Sequence, residues 1–548
     1  MKTTFVRIVS VLMVVALSAC AKMAATQAPL AAATEAPADY YSQPDISEPV
    51  ATYVPVATYA PVGSAASEAP AAESAGDLFM VPTLAAPAPK NGEDNFFQDY
   101  GVNPATSTDR DHLSTFGLDV DTASYEMTSA YIKDGALPPM DAVRAEEFIN
   151  AFQQGYTLPD ESAFALYADG APSPFIEKGN YLIRFGVQGY DVPVSDRKPM
   201  NLTFVIDVSG SMDTDNRLEI VKDSLKLLVR QLDDRDTVTI IKFTNNASLM
   251  LSPTNAAEKD SIYRAIESLH PKSSTNVDAG LSLGYRYAYR MLNPEAINRV
   301  ILCSDGVANQ GETSPDAMLE YVKEYADQGI TLTGIGVGMG NYNDVLLEQL
   351  ADNGNGNYYY VDTREQAKEV FVYNLTSTMQ VIAFDAKIQI DFNPEVVENY
   401  RLIGYENRQI ADQDFRNDAV DAGEVGAGMT ATALYEVQLR EGAEGRIATA
   451  QLRWQDAETR EVVEIDGDFF THDLAGSFKE SSPYFQLAST VAGYAEILRF
   501  SPYVNGDLMD VANEAHRISR LLAEDSQAYE FEQLAVQTLQ IDRRMGND

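Results

Sequence analysis

The apolar run "FVIDV" at residues 204–208 passes into "SGSM", so that an aspartate and two serines follow one another as Asp207, Ser209 and Ser211. A threonine, Thr275, lies in "KSSTNVDAGL", and a second aspartate, Asp305, closes the apolar run "RVILCSDG". Two carboxylates and three hydroxyls are all hard oxygen donors, with no thiolate or imidazole among them. Such a set suits Mg²⁺ or Mn²⁺ in octahedral geometry, with water filling positions the protein leaves open. A divalent ion with few direct charges stays electrophilic enough to attract a further carboxylate.

Donors so far apart in the chain converge only if the elements between them bring their loops to one edge. Residues 198–380 alternate strand and helix signals in the manner of an open parallel sheet. "NLTFVIDV", "DTVTIIKF", "NRVILCSDG", "ITLTGIGVG" and "NYYYVD" read as strands. "RLEIVKDSLKLLVRQL", "DAGLSLGYRYAYRML", "AMLEYVKEYADQG" and "VLLEQLADNGNG" read as the helices between them. In such a sheet, ligands bind at the carboxyl ends of the strands near the topological switch point. Asp207 and Asp305 each sit at a predicted strand end, and Thr275 precedes a predicted helix.

The order and spacing of "DVSGSM", the threonine of "SSTN" and the aspartate of "SDG" resemble the metal-ion-dependent adhesion site of the von Willebrand factor A domain. The resemblance implies that Ser209, Ser211 and Thr275 give hydroxyl oxygens to the metal, and that Asp207 and Asp305 bind it directly or through water. It further implies one open position, filled by an Asp or Glu carboxylate from a protein partner. "FGLDVDTASY", "LPPMDAVRAEEFIN", "FGVQGYDVP" and "DAVDAGEVGAGMTATALYEV" are similar to the flanks of a bacterial lipoprotein family with a central A domain. The fold expected is therefore α/β: a Rossmann-like open parallel sheet with helices on both faces, flanked by a β-sandwich-like domain and a C-terminal helical segment.

The divisions expected are a signal peptide at 1–20, an Ala/Pro-rich disordered tether at 21–111, an N-terminal flanking α+β region at 112–197, the A domain at 198–380, and a β-rich then helical region at 381–548. Lys2 and Arg7 precede a short apolar stretch, as in an export signal. "LSAC" resembles the bacterial lipobox, which implies cleavage before Cys20, lipid on that residue, and, with Ala21 following, sorting to the outer membrane of a Gram-negative envelope. "YLIRFGVQGY" before the A domain is expected to pair with strands after residue 380, since an unpaired edge invites aggregation. Thr122 or Ser124 is expected to cap the helix that follows them.

Composition narrows the function classes. The 548 residues carry Asp+Glu 81 against Lys+Arg 40, a net charge of −41. That surface repels phosphate backbones and argues against nucleic acid as a partner. Only two cysteines and four histidines occur, which excludes a disulfide framework once Cys20 is lipidated. Cys303 reads as a small buried strand residue. "LDVDTAS" imitates a phosphatase motif but lacks its fully apolar strand. No histidine lies within the three metal-loop motifs to serve as a general base. The expectation is thus a binding or scaffolding protein rather than an enzyme, with a metal-assisted hydrolase or a purely structural envelope protein as alternatives.

Overall fold

The computed structural model describes residues 97–545, apart from 119–120, 160–161, 194, 273–274, 307–313, 339–343, 369, 372–378, 419 and 421. The expected signal peptide, Cys20 and most of the expected tether lie outside the described residues.

In chain order the first strands are β1 (Thr106–Ser107), β2 (Leu113–Gly117), β3 (Phe164–Ala171) and β4 (Tyr181–Gly189), with helices α1 (Ala123–Lys133) and α2 (Ala145–Asn150) between β2 and β3. A second group follows: β5 (Met200–Asp207), α3 (Arg217–Gln231), β6 (Thr237–Phe243), β7 (Ala247–Asn255), α4 (Lys259–Glu267), α5 (Val277–Arg290) and β8 (Ile297–Ser304). That group is completed by α6 (Pro315–Asp327), β9 (Ile330–Val337), α7 (Asp344–Asn353), β10 (Tyr358–Val361) and α8 (Arg364–Lys368). The remaining strands are β11 (Val381–Phe392), β12 (Val397–Ile403), β13 (Gly423–Gly426), β14 (Thr430–Leu439), β15 (Arg446–Asp456) and β16 (Val462–Phe470). Helices Pro483–Leu498, Leu508–Leu521 and Ser526–Met545 close the chain.

The second group builds a six-stranded sheet in the order β10-β9-β8-β5-β6-β7, parallel except for the antiparallel edge strand β7. β5 lies near its centre, and all but one of its residues are buried. Continuous burial is what a strand covered by helices on both faces requires. The chain leaves β5 toward β6 and later returns to pair β8 on the opposite side, which makes the β5/β8 boundary the switch point.

Strands from both ends of the chain make two antiparallel sheets: β1-β12-β14-β4-β3, and β16-β15-β11 with β2 and β13 sharing the far edge of β11. Phe185, Val187, Ile388, Ile390, Tyr435 and Trp454 pack between these sheets. The other face of the first sheet, through Leu182, Ile403 and Leu434, packs against α2 and the C-terminal helices. β4 is consequently buried on both faces. It pairs with β14 from Tyr181 opposite Val437 to Gln188 opposite Thr430, so the sandwich is made from segments on either side of the parallel-sheet domain, as expected.

Two local expectations change. The tether drawn to residue 111 ends earlier, because β1 pairs with β12 and Asn103 Nδ2 donates to the Gly404 carbonyl at 2.7 Å. Such anchoring by polar side chains and a two-residue strand leaves no apolar period to read. Thr122 does occupy the N-cap of α1, but its side chain makes no capping hydrogen bond. Ser124 instead donates to the Ala142 carbonyl at 2.6 Å.

Helix α5 presses close against β5 and β6 through glycines one turn apart. A Cβ on Gly284 would stand 2.4 Å from Val205 Cγ2, and one on Gly280 would stand 2.6 Å from the Phe243 ring. Val205 is fully buried on the central strand and stiff at χ1. Gly284→Ala is therefore expected to lower stability by about 1–3 kcal/mol through overpacking. Gly467→Ala, where nothing lies within 4 Å, should be nearly neutral. Equal denaturation midpoints for the two variants would show that α5 yields freely.

Candidate metal centre

The carboxyl ends of β5 and β8 bring four of the five sequence-selected residues into contact. Asp207 is the last residue of β5, and its Oδ1 accepts from the Ser209 amide at 2.8 Å. Ser211 donates to Asp305 Oδ1 at 3.0 Å, which leaves Ser209 to donate to Ser211 Oγ at 2.9 Å. Asp207, Ser209 and Asp305 are all buried.

Thr275 sits on the neighbouring loop before α5 and is also buried. The loop is fixed to the same edge by the Lys272 amide, which donates to the Val208 carbonyl at 2.6 Å. The Asn276 amide donates to Thr244 O at 2.8 Å, and Asn276 Oδ1 caps α5 through the Ala279 amide at 3.0 Å. Among the described residues Thr275 hydrogen-bonds to none of the other four.

Two residues that the sequence reading missed complete the site. Arg217 opens α3, and its Nη1 lies 2.8 Å from Asp305 Oδ2. A basic side chain at a helix N-terminus runs against the helix dipole, and that misplacement is the signal that could have identified it. Ser304 Oγ lies 2.8 Å from Asp207 Oδ2 and 2.6 Å from the Gly306 carbonyl. One hydroxyl proton cannot serve both acceptors. When the proton goes to Gly306, Asp207 Oδ2 faces an oxygen lone pair and gains from a cation or a proton of its own.

The electrostatics agree. Burial is the main cause pushing the Asp207 carboxyl up to about 7, and the nearby Asp305 charge pushes the same way. The Ser209 amide works in the opposite direction. Arg217 pairs with Asp305, so ionising Asp207 as well gives the site surplus negative charge that a hard divalent ion would neutralise. The donor chemistry fits such an ion. Asp207, Ser209, Ser211, Thr275 and Asp305 are the residues that would hold it, and the ion would supply a Lewis-acidic position for an oxygen ligand. Among the described residues there is no cluster of three or more His, Cys, Asp or Glu side chains suited to a metal. Cys303 is fully buried, and burial holds its thiol up at about 12.

A parallel sheet carrying this site at its switch point defines a von Willebrand factor type A domain, and the family model of that description matches residues 201–372. The model for the C-terminal region of uncharacterized protein YfbK matches residues 377–540, and one described as von Willebrand factor matches 91–184. The chain is 35% identical over 431 residues to uncharacterized protein YfbK of Escherichia coli (strain K12), covering 75% of each. It belongs to the YfbK family, with an A domain set between the family's own N- and C-terminal regions. Inter-alpha-trypsin inhibitor heavy chain H2 of Mesocricetus auratus is 29% identical over 195 residues, which span 33% of this chain and 20% of that protein. A solved von Willebrand factor type A protein from Catenulispora acidiphila aligns at 16% identity and a TM-score of 0.39, covering 67% of this chain and 89% of its own.

Proposed function

We propose that this protein is a cell-envelope lipoprotein that binds a protein partner through a divalent cation in its A domain, for adhesion or scaffolding. Mg²⁺ or Mn²⁺ held by Asp207, Ser209, Ser211, Thr275 and Asp305 leaves one position for an Asp or Glu carboxylate of the partner. Lipid on Cys20 tethers the folded body to the membrane, in the outer membrane of a Gram-negative cell. Among the described residues no helix is long and apolar enough to cross a membrane.

The observation that carries the reading is the convergence of two buried carboxylates on a hydrogen-bonded pair of serines, with surplus negative charge. A metal there reverses the local field on a chain of net charge −41, so an acidic side chain can approach where the rest of the surface repels it. The deciding experiment is a pull-down from envelope extract with Mg²⁺, with chelator, and with Asp207→Ala. Partners should be retained only in the first condition. Partners that persist in all three would move the function to another surface.

A further inference from the structure

Of the seven buried arginines among the described residues, six hold a carboxylate at ion-pairing distance. The seventh, Arg299, does not. It is 1% exposed, on β8, at the end of the sheet opposite the candidate metal centre. Its Nε donates to Thr331 Oγ1 at 3.0 Å and its Nη1 to Thr333 Oγ1 at 3.3 Å. Neutral hydroxyls orient the guanidinium without cancelling its charge. Burial pushes its pKa down to about 10 against the opposing influence of Tyr359 and Glu424, so it remains a cation at neutral pH.

The Nη2 edge hydrogen-bonds to no described protein atom, yet it is not among the fully enclosed unpaired polar atoms. The space it faces is a cavity of about 640 Å³ between the amino ends of β8 and β9 and the sandwich strands β11, β13 and β15. Lys198, 3.6 Å from the exposed Glu458 carboxylate, and Arg460, stacked 4.2 Å from the Phe384 ring, also line this cavity. Four carboxylates, Asp327, Asp385, Asp418 and Glu424, line it too, and of these Asp418 is paired with Arg453.

We propose that this cavity is a binding site for a small oxyanion, the carboxylate or phosphoryl group of a small molecule, seated on the free edge of Arg299 with Lys198 and Arg460 at the mouth. A guanidinium presents paired N–H donors that match two oxygens of such a group. A buried cation without a counter-charge is strongly disfavoured, and a bound anion supplies what the other six arginines take from the protein. The aliphatic wall of Pro294, Ile297 and Val381 leaves room for an apolar portion of the ligand. With a chain so acidic overall, no general attraction draws anions in, so affinity has to come from this local cluster.

The test uses the full chain stripped of divalent metal, so that anion held at the metal centre does not contribute. Inorganic phosphate and acetate are each titrated calorimetrically against chloride at matched ionic strength. Saturable one-site binding is expected for at least one probe, and which one binds identifies the headgroup. Arg299→Met should weaken it by about tenfold or more, because charge-assisted hydrogen bonds are lost, while the anion-free melting temperature stays level or rises. Lys198→Ala, at the exposed mouth, should weaken binding severalfold with the fold untouched, and it decides the matter if Arg299→Met does not fold. No saturable binding of either probe to the wild type, or unchanged affinity in the folded variants, overturns the proposal.

Discussion

Arg144→Ala is expected to lower stability by about 3–5 kcal/mol, the cost of stripping a buried ion pair of one partner. Arg144 lies just before α2 and is buried, with Nη1 2.9 Å from Glu147 Oε1 and Nη2 2.8 Å from Glu348 Oε2. Both carboxylates are buried as well. Glu348 belongs to α7 of the A domain, whereas Arg144 and Glu147 belong to the N-terminal flank. Arg408, from the segment after β12, reaches Asp352 on the same helix at 2.9 Å. Removing Arg144 takes a buried cation from both Glu147 and Glu348, while Arg408 stays 3.5 Å from Glu348. The exposed pair Arg416–Glu464 makes the control, because solvent screening and side-chain entropy leave such pairs worth about 0–1 kcal/mol. Chemical denaturation of Arg144→Ala and Arg416→Ala should separate the two cases clearly. An Arg144→Ala midpoint equal to that of Arg416→Ala would mean that water enters the network and that the A domain is not locked to its flanks by charge.

That network also marks where the sequence stopped being readable. Asp207, Ser209, Ser211 and Asp305 could be picked out because each follows an apolar strand directly, and strand ends at a switch point converge whatever the loop details. The alternation of strand and helix between 198 and 380 was legible for the same reason: burial on both faces writes continuous apolar runs such as "FVIDV" and "RVILC". Ser304, one residue before Asp305, hid inside such a run. Arg217 was read only as a helix start, though its charge sits at the wrong end of the dipole. Pairings across the A domain were legible as a need, since "YLIRFGVQGY" had to find a partner, but not as a register. Nothing local says that β2 and β13 share one edge of β11, because that depends on residues such as Ser114 and Ile390 meeting across hundreds of positions. Asp121, within "LDVDTAS", is buried and accepts from the Tyr358 amide at 3.0 Å, a tie between flank and A domain that no short motif encodes.

Asp207→Asn is expected to separate the two roles of the candidate metal centre by moving stability in opposite directions. In wild type, saturating Mg²⁺ or Mn²⁺ should stabilise the fold by about 2.7 kcal/mol at a hundredfold excess over the dissociation constant. Asparagine keeps an oxygen to accept from the Ser209 amide and nearly the same volume, so packing is preserved. It removes the charge whose burial pushes the Asp207 carboxyl up to about 7. Metal-free Asp207→Asn should therefore melt at or above metal-free wild type, while its response to divalent ions disappears. Ser211→Ala is a useful companion, since Ser211 links Ser209 to Asp305 without burying a charge, and it should reduce the metal response with little change in the metal-free melting temperature. Arg217 gives the pattern its physical basis: it compensates Asp305 at 2.8 Å, so the charge left for a metal to neutralise resides chiefly on Asp207. Melting curves with and without Mg²⁺, for wild type and both variants, decide the matter. A wild type indifferent to Mg²⁺ and Mn²⁺ would refute the metal assignment. An Asp207→Asn protein that still responds fully would show instead that the ion binds elsewhere on this acidic chain.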